Sequence, residues 1–250
     1  MTVQPVNHLL YDDVHAAVID AGLRSHEPLC PDPELVEFLE RVRLPVSTRV
    51  LDTGCGCGRN TVHLSRLGYV AVGIDCSPNA IALSRRLAAE EGVGARFAVV
   101  DATESSDDYR DGFDLVLDLR CSHLITDPPL RRRFFENMHR WLADGGRYIG
   151  MQIGFVDQAT AEERTAPEND QPYWELVLDT PRGSRRSRIR NDRIVPLWCE
   201  RYADELHHAG FIDVDVEYSC DPGRRPCPCR LLAEGRKDGC TGSPASFLPH

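Results

Sequence analysis

The residues of this 250-residue chain best placed to do chemistry are Val50-Leu51-Asp52-Thr53-Gly54-Cys55-Gly56-Cys57-Gly58, where a short apolar run enters three glycines ahead of a helical stretch, 59–67. Glycines in such a turn let the backbone reverse sharply and approach a ligand more closely than any residue with a side chain allows. A dinucleotide-binding turn has its third glycine one position later, in the Gly-x-Gly-x-x-Gly spacing that seats a pyrophosphate on a helix N-terminus. Here the spacing is Gly-x-Gly-x-Gly, and a carboxylate, Asp52, lies two residues before the first glycine. That carboxylate repels a pyrophosphate and welcomes an ammonium group.

Further along, Asp75 ends a second apolar run, Asp101-Ala102 follows a third, and Leu119-Arg120-Cys121-Ser122-His123 follows a fourth. Taken in this order, the glycine turn resembles motif I of the class I S-adenosylmethionine-dependent methyltransferases, and residues 49–154 resemble their nucleotide-binding core. The nearest flavour is the small-molecule group that includes the tellurite-resistance and thiopurine methyltransferases. The resemblance implies an α/β fold: a doubly wound, Rossmann-like, seven-stranded sheet, mostly parallel with one antiparallel edge strand, with helices on both faces. It also implies S-adenosyl-L-methionine as cofactor, resting on Asp52, Gly54, Cys55, Gly56, Asp75, Cys76, Asp101, Ala102, Leu119 and Arg120. In that scheme Asp75 takes the ribose hydroxyls and Asp101-Ala102 faces the adenine. Asp127-Pro128-Pro129-Leu130 imitates the Asn/Asp-Pro-Pro-aromatic signature of nucleobase amino-group methylation, but it lacks the aromatic and reads as a helix start.

A methyl donor of this kind needs no metal or covalent intermediate, only a nucleophile held in line and shielded from water. An oxygen or protonated-amine acceptor must also lose a proton, and His123, Tyr11 and Tyr173 are the candidates to take it. Cys121 places a thiol beside them. Three other readings stay open: a sulfonium site that transfers or cyclises the aminocarboxypropyl arm, a nicotinamide oxidoreductase, and a non-catalytic nucleotide-binding module.

The elements that must position these residues follow from periodicity. Apolar runs at 49–52, 70–75, 96–101, 113–119 and 147–153 alternate with helical patterns, the signature of a parallel sheet covered on both faces. Ser77-Pro78 and Asp127-Pro128 are N-cap and first-turn pairs for helices at 78–89 and 130–142. A helix at 198–209 precedes two strands, 211–218 and 229–234, joined closely enough for antiparallel pairing. Residues 1–46 carry two amphipathic helices, 11–22 and 33–42, read as a cap over the active site. The core domain runs over 47–237. An insertion at about 155–196 reads as a lid, with 173–180 pairing to 187–195 across Pro181-Arg182-Gly183 and carrying Arg182, Arg185, Arg186, Arg188, Arg190 and Arg193.

Composition sets the outer bounds. With 42% hydrophobic residues the chain can build a core without disulfides, so Cys30, Cys55, Cys57, Cys76, Cys121 and Cys199 read as reduced, buried side chains. Cys220, Cys227, Cys229 and Cys240 lack the paired Cys-x2-Cys spacing that marks zinc, so no metal is expected. The net charge of −10 argues against nucleic acid and anionic membranes as partners, and the resemblance implies a small-molecule methyl acceptor. Met1–Leu10 lacks a secretory pattern, which predicts a cytoplasmic protein, and 238–250 reads as a disordered tail.

Overall fold

The computed structural model describes residues 9, 11–25, 28–104, 107–164, 173–180, 183–190, 195–219 and 229–239. Its frame is a seven-stranded sheet built from β1 (Arg49–Thr53), β2 (Val70–Asp75), β3 (Arg96–Val99), β4 (Phe113–Leu119), β5 (Leu142–Gly154), β8 (Ile212–Ser219) and β9 (Cys229–Arg236), in the order β3-β2-β1-β4-β5-β9-β8. The first five strands are mutually parallel. β9 runs antiparallel to both neighbours, β5 and β8. The one reversed strand therefore sits a place in from the rim, and β8 is the outermost strand. Entering between β5 and β8, β9 pairs on both sides and leaves β8 as the open edge at that end of the sheet.

The helices form where capping chemistry permits. α4 (Pro78–Glu91) starts at Ser77, whose hydroxyl accepts the Ala80 N–H at 2.9 Å, and ends at Gly92 with φ of 64°. α5 (Pro128–Trp141) starts at Asp127, which accepts the Leu130 N–H at 3.0 Å. The chain then turns directly into β5 at Leu142, earlier than the expected start at Arg147. Pairing of Phe113 with Leu142 precedes a register shift to Leu115 with Arg147, which absorbs Gly145-Gly146 inside the strand.

Side-chain alternation along the strands sends each set to a different layer. Val50, Leu115, Leu117, Ile149 and Met151 meet Leu35, Phe38 and Leu39 of α2 (Pro33–Val42). Leu51, Val116 and Tyr148 meet Phe134, Phe135 and Met138 of α5 and Tyr202 and Leu206 of α7 (Cys199–His208). On the first of these faces, α3 (Arg59–Arg66) and α4 enclose Cys55, Val62, Ile81, Leu87 and Phe97. α2 is thus part of the sheet covering, and only α1 (Asp12–Asp20) lies near the strand ends.

The insertion contains α6 (Gln158–Arg164), absent from the sequence expectation, with Asp157 accepting the Thr160 N–H at 2.8 Å. It continues as a separate ribbon, β6 (Tyr173–Thr180) with β7 (Gly183–Arg190). Thr180 pairs with Gly183, so the second strand begins four residues before the expected Ser187 across a two-residue connection, the commonest hairpin solution. Leu178 of β6 is buried against Val14 and Val18 of α1, Cys57 of the glycine turn and Leu83 of α4. Among the described residues no helix is long and apolar enough to cross a membrane. Cys220, Cys227 and Cys240, and the tail from 240 onward, lie outside the described residues.

Candidate active site

β1 sits where the strand order reverses, with β2 on one side and β4 on the other, and ligands in such sheets bind beyond the carboxyl ends at that point. A cleft of about 1130 Å³, open mouth included, lies there. All ten residues expected to hold the cofactor line it, namely Asp52, Gly54, Cys55, Gly56, Asp75, Cys76, Asp101, Ala102, Leu119 and Arg120.

Asp52 is 2% exposed and accepts a hydrogen bond from the Thr61 hydroxyl at 2.6 Å. Burial pushes its carboxyl up to about 7, helped by the nearby Asp32 and Asp75 carboxylates and opposed by Thr61. Asp75 accepts the Gly56 N–H on one oxygen at 2.9 Å and the Ser77 N–H on the other at 2.8 Å. Burial again raises this carboxyl above its ordinary range while the two N–H bonds oppose the shift. Each oxygen retains a second lone pair, so the group is held in place and can still accept from a ligand. Asp101 uses one oxygen to accept both the Thr103 N–H at 2.9 Å and the Thr103 hydroxyl at 2.7 Å, which closes the turn after β3. Asn137 of α5 fixes that turn by donating to the Ala102 and Glu104 carbonyls.

The glycines divide into two roles. A Cβ on Gly54, φ 65°, would stand 2.5 Å from the Cys121 sulfur, so this position is reserved for packing against the loop after β4. A Cβ on Gly56, φ 55°, would meet nothing closer than His15 Cε1 at 3.8 Å and would project into the cleft.

His123 and Tyr11 both line the cleft. Tyr173 lies in β6, its side chain outside the described residues, as are the side chains of Trp174, Arg182, Arg185, Arg186, Arg188, Arg190 and Arg193. Four further polar lining residues carry no motif in the sequence: His15, Arg59, Asn60 and Thr103. His15 had a signal, since it stands one helical turn after Tyr11 and the two rings are tilted against each other at 5.9 Å. Arg59 is buried against Asp32, and Asn60 donates to the same carboxylate at 2.8 Å while accepting the Asp32 N–H at 2.9 Å. These contacts tie the start of α2 to the glycine turn. Arg120 reaches Asp32 at 3.5 Å and holds a left-handed φ of 67°, a strained backbone of the kind that clusters at functional sites.

α1 is docked by Asp12, whose carboxylate accepts the Asn79 N–H at 3.2 Å, the Asn79 side-chain amide at 2.9 Å and the Ser77 hydroxyl. An anion at the N-terminus of α4 suits the helix dipole and puts Tyr11 and His15 over the cleft. Cys30, Cys55, Cys57, Cys76, Cys121 and Cys199 are in no disulfide among the described residues. Cys30, expected to be buried, is exposed in the loop before α2. Burial raises Cys55 and Cys121 well above the usual thiol range, and raises Cys76 to about 12. Inert thiols, not nucleophiles, follow from those shifts.

Comparison with known proteins agrees with this geometry. The sequence model of the methyltransferase domain family matches residues 50–146. The 2-heptyl-1-hydroxyquinolin-4(1H)-one methyltransferase of Mycobacteroides abscessus is 32% identical over 120 residues, 48% of this chain and 51% of that protein. Phosphoethanolamine N-methyltransferase 1 of Arabidopsis thaliana is 32% identical over 116 residues, 45% of this chain and 22% of that protein. The chain thus spans about half the length, or less, of these curated relatives. Among solved structures, one from work on the conversion of a disulfide bond into a thioacetal group during echinomycin biosynthesis superposes with a TM-score of 0.60 and 25% identity, covering 91% of this chain and 93% of the other. The Burkholderia thailandensis 1,6-didemethyltoxoflavin-N1-methyltransferase, solved with its substrate and S-adenosylhomocysteine, gives 0.60 at 20% identity, with 95% and 93% covered, and speaks for the fold. The motif order, the strand order and the family match agree on residues 50–146 as a methyltransferase domain, set in a fold shared with S-adenosylmethionine-dependent methyltransferases.

Proposed function

We propose that the protein is an S-adenosylmethionine-dependent methyltransferase that moves a methyl group by in-line displacement to a nitrogen, oxygen or sulfur atom of a small molecule. The observation that carries this reading is the convergence of all ten motif residues, from four strand ends, on one cleft. Their chemistry fits the cofactor. Asp52 is a buried carboxylate matched to the methionyl ammonium, Arg120 is a cation placed for the carboxylate, Asp75 accepts from the ribose, and the open face of Gly56 leaves room for backbone approach. The bound sulfonium supplies an electrophilic methyl group. The chain's own work is to orient the acceptor and exclude water, for which Leu124, Ile125, Phe134 and Ile153 provide apolar walls. The relatives' acceptors, a hydroxyquinolone and phosphoethanolamine, set the range of a first acceptor panel.

The direct test is to incubate the purified protein with S-adenosylmethionine and that panel and to identify the nucleoside product by mass spectrometry. S-adenosylhomocysteine establishes methyl transfer. Methylthioadenosine instead assigns use of the aminocarboxypropyl arm, and failure of the protein to bind either nucleoside overturns the cofactor site.

Asp52 gives this reading a pH signature. In the free protein its carboxyl titrates at about 7, because burial disfavours the charge. A ligand ammonium favours the carboxylate, so the bound value lies lower and binding below pH 7 must release a proton. Affinity for S-adenosylhomocysteine is therefore expected to rise as pH increases from 5.5 toward 7, by at most tenfold per unit, and to level off above. Calorimetry in two buffers of different ionisation enthalpy measures both the slope and the proton release. Asp52→Asn should flatten the profile, and a flat wild-type profile removes Asp52 from the ammonium site.

A further inference from the structure

Behind His123 lies a polar chain buried in the otherwise apolar layer between the sheet and helices α5 and α7. Alternation along the strands puts Asp118 of β4 and Tyr148, Gly150 and Gln152 of β5 on that face. The Gln152 side-chain nitrogen donates to the Asp118 carbonyl at 2.6 Å, an atom that can only accept, and lies 3.4 Å from the Tyr202 hydroxyl. This fixes the amide orientation, with Oε1 turned toward His123. Oε1 takes the His123 backbone N–H at 3.2 Å and contacts its Nδ1 at 3.0 Å. An amide oxygen can only accept, so Nδ1 carries the proton and Nε2 does not.

The rest of the chain has a single consistent direction. Tyr148 donates to one Asp118 oxygen at 2.8 Å, the Ser122 N–H donates to the other at 2.9 Å, and the two tyrosine hydroxyls are 2.8 Å apart. With the Tyr148 proton committed to Asp118, Tyr202 donates to Tyr148 and its own oxygen is left to face Gln152. Room for this pair is made by Gly150, where a Cβ would come within 2.0 Å of the Tyr202 hydroxyl and 2.7 Å of that of Tyr148. Arg131 of α5 donates to the Ser122 carbonyl and, at 2.7 Å, to Glu205 of α7, which pins the short 3-10 turn carrying His123. His123 is 3% exposed, lines the cleft, and its Nε2 has no partner among the described residues.

We propose that His123 accepts a hydrogen bond through Nε2 from an uncharged phenolic, N-hydroxy or heteroaromatic O–H or N–H group of the methyl acceptor, with Gln152, oriented by its bond to the Asp118 carbonyl, as the positioning residue that fixes its tautomer. This rests on the methyltransferase reading above. The acceptor's O–H or N–H proton moves to Nε2 as its oxygen or nitrogen bonds the methyl carbon and the sulfur–methyl bond breaks, with the bonding pair left on sulfur. The resulting imidazolium returns the proton to water once the product leaves. Burial, with the Arg131 and Arg120 charges nearby, holds the imidazole down to about 4, so it resets readily and removes protons only from groups that give them up easily. A protonated amine would add a third positive charge beside those guanidiniums, which excludes it from the acceptor class.

Two-bond proton–nitrogen spectra of ¹⁵N-histidine-labelled protein, free and with S-adenosylhomocysteine bound, read the tautomer directly. His123 is expected to show a protonated Nδ1 and a bare Nε2 at pH 7. Gln152→Leu should abolish that preference and lower turnover roughly tenfold or more, whereas His123→Ala should cost on the order of a hundredfold. Tyr202→Phe keeps the Gln152–Asp118 bond, guards against a folding artefact and should retain the tautomer. Phenol or 2-heptyl-1-hydroxyquinolin-4(1H)-one added to the complex should shift the Nε2 signal, and phosphoethanolamine should leave it in place. A protonated Nε2 in the wild type, an unchanged tautomer in Gln152→Leu, or a response to phosphoethanolamine alone overturns the proposal. Failure of the wild type to bind S-adenosylhomocysteine would instead count against the cofactor reading, with the tautomer still measurable in the free protein.

Discussion

Replacing Asp75 with alanine is expected to weaken binding of S-adenosylhomocysteine by roughly tenfold to a hundredfold, because losing one hydrogen bond to a charged group costs about 1.5–3 kcal/mol. The carboxylate also holds the Gly56 and Ser77 N–H groups, so its loss frees the glycine turn and the start of α4 together. Two effects therefore add in the alanine variant, and Asp75→Asn separates them. The asparagine keeps one acceptor oxygen for a backbone N–H but cannot accept on both sides, so its affinity should fall between wild type and alanine. Calorimetry gives the dissociation constants and thermal unfolding checks the fold. An unchanged constant in Asp75→Ala would remove this residue from the cofactor site.

Much of this arrangement was legible because local chemistry dictated it. Ser77-Pro78 and Asp127-Pro128 mark helix starts that depend on no distant residue, and β2, β4 and α2 occupy the expected spans. That the candidate cofactor residues meet at one cleft was legible for a related reason: a Gly-x-Gly-x-Gly turn after one strand and an acid at the end of the next become neighbours in any parallel β-α-β unit. The missed features depend on pairing between distant segments. Gln152 reads as one polar residue in an apolar strand, and its role appears only when β4 and β5 align Asp118 with Gly150. Arg59 reads as a first-turn helix residue until Asp32, distant in sequence, folds onto it. Gly54 and Gly56 look alike in sequence, yet one makes room for Cys121 and the other opens onto the cleft. The insertion of β9 inside β8 is equally non-local, since either order satisfies the same hairpin.

Replacing residues 173–190 with a short Gly/Ser loop is expected to abolish turnover while leaving affinity for S-adenosylhomocysteine within about fivefold of wild type. We propose that the β6–β7 ribbon braces the acceptor side of the cleft. The insertion departs from β5 beside Phe155, whose N–H donates to the Leu197 carbonyl at 2.7 Å, and returns at Val195, whose N–H donates to the His123 carbonyl at 2.8 Å. The two ends are thus tied to each other and the returning one to the segment that carries His123, and the loop variant keeps both ties. What it loses is Leu178, buried against Val14 and Val18 of α1. Burying a leucine contributes about 1.5–3 kcal/mol, enough to decide whether a nine-residue helix stays docked. α1 brings Tyr11 and His15 to the cleft, so its release opens the acceptor side to water while Asp52, Asp75 and the glycine turn remain supported by the sheet. Hydrogen exchange should report faster amide exchange in residues 12–20 of the variant, with β1 and β2 unchanged. The competing view is an exposed ribbon that serves subunit contact, for which the variant would change mass in solution and keep its activity. Turnover that persists in the loop variant on an acceptor the wild type methylates sinks the bracing role.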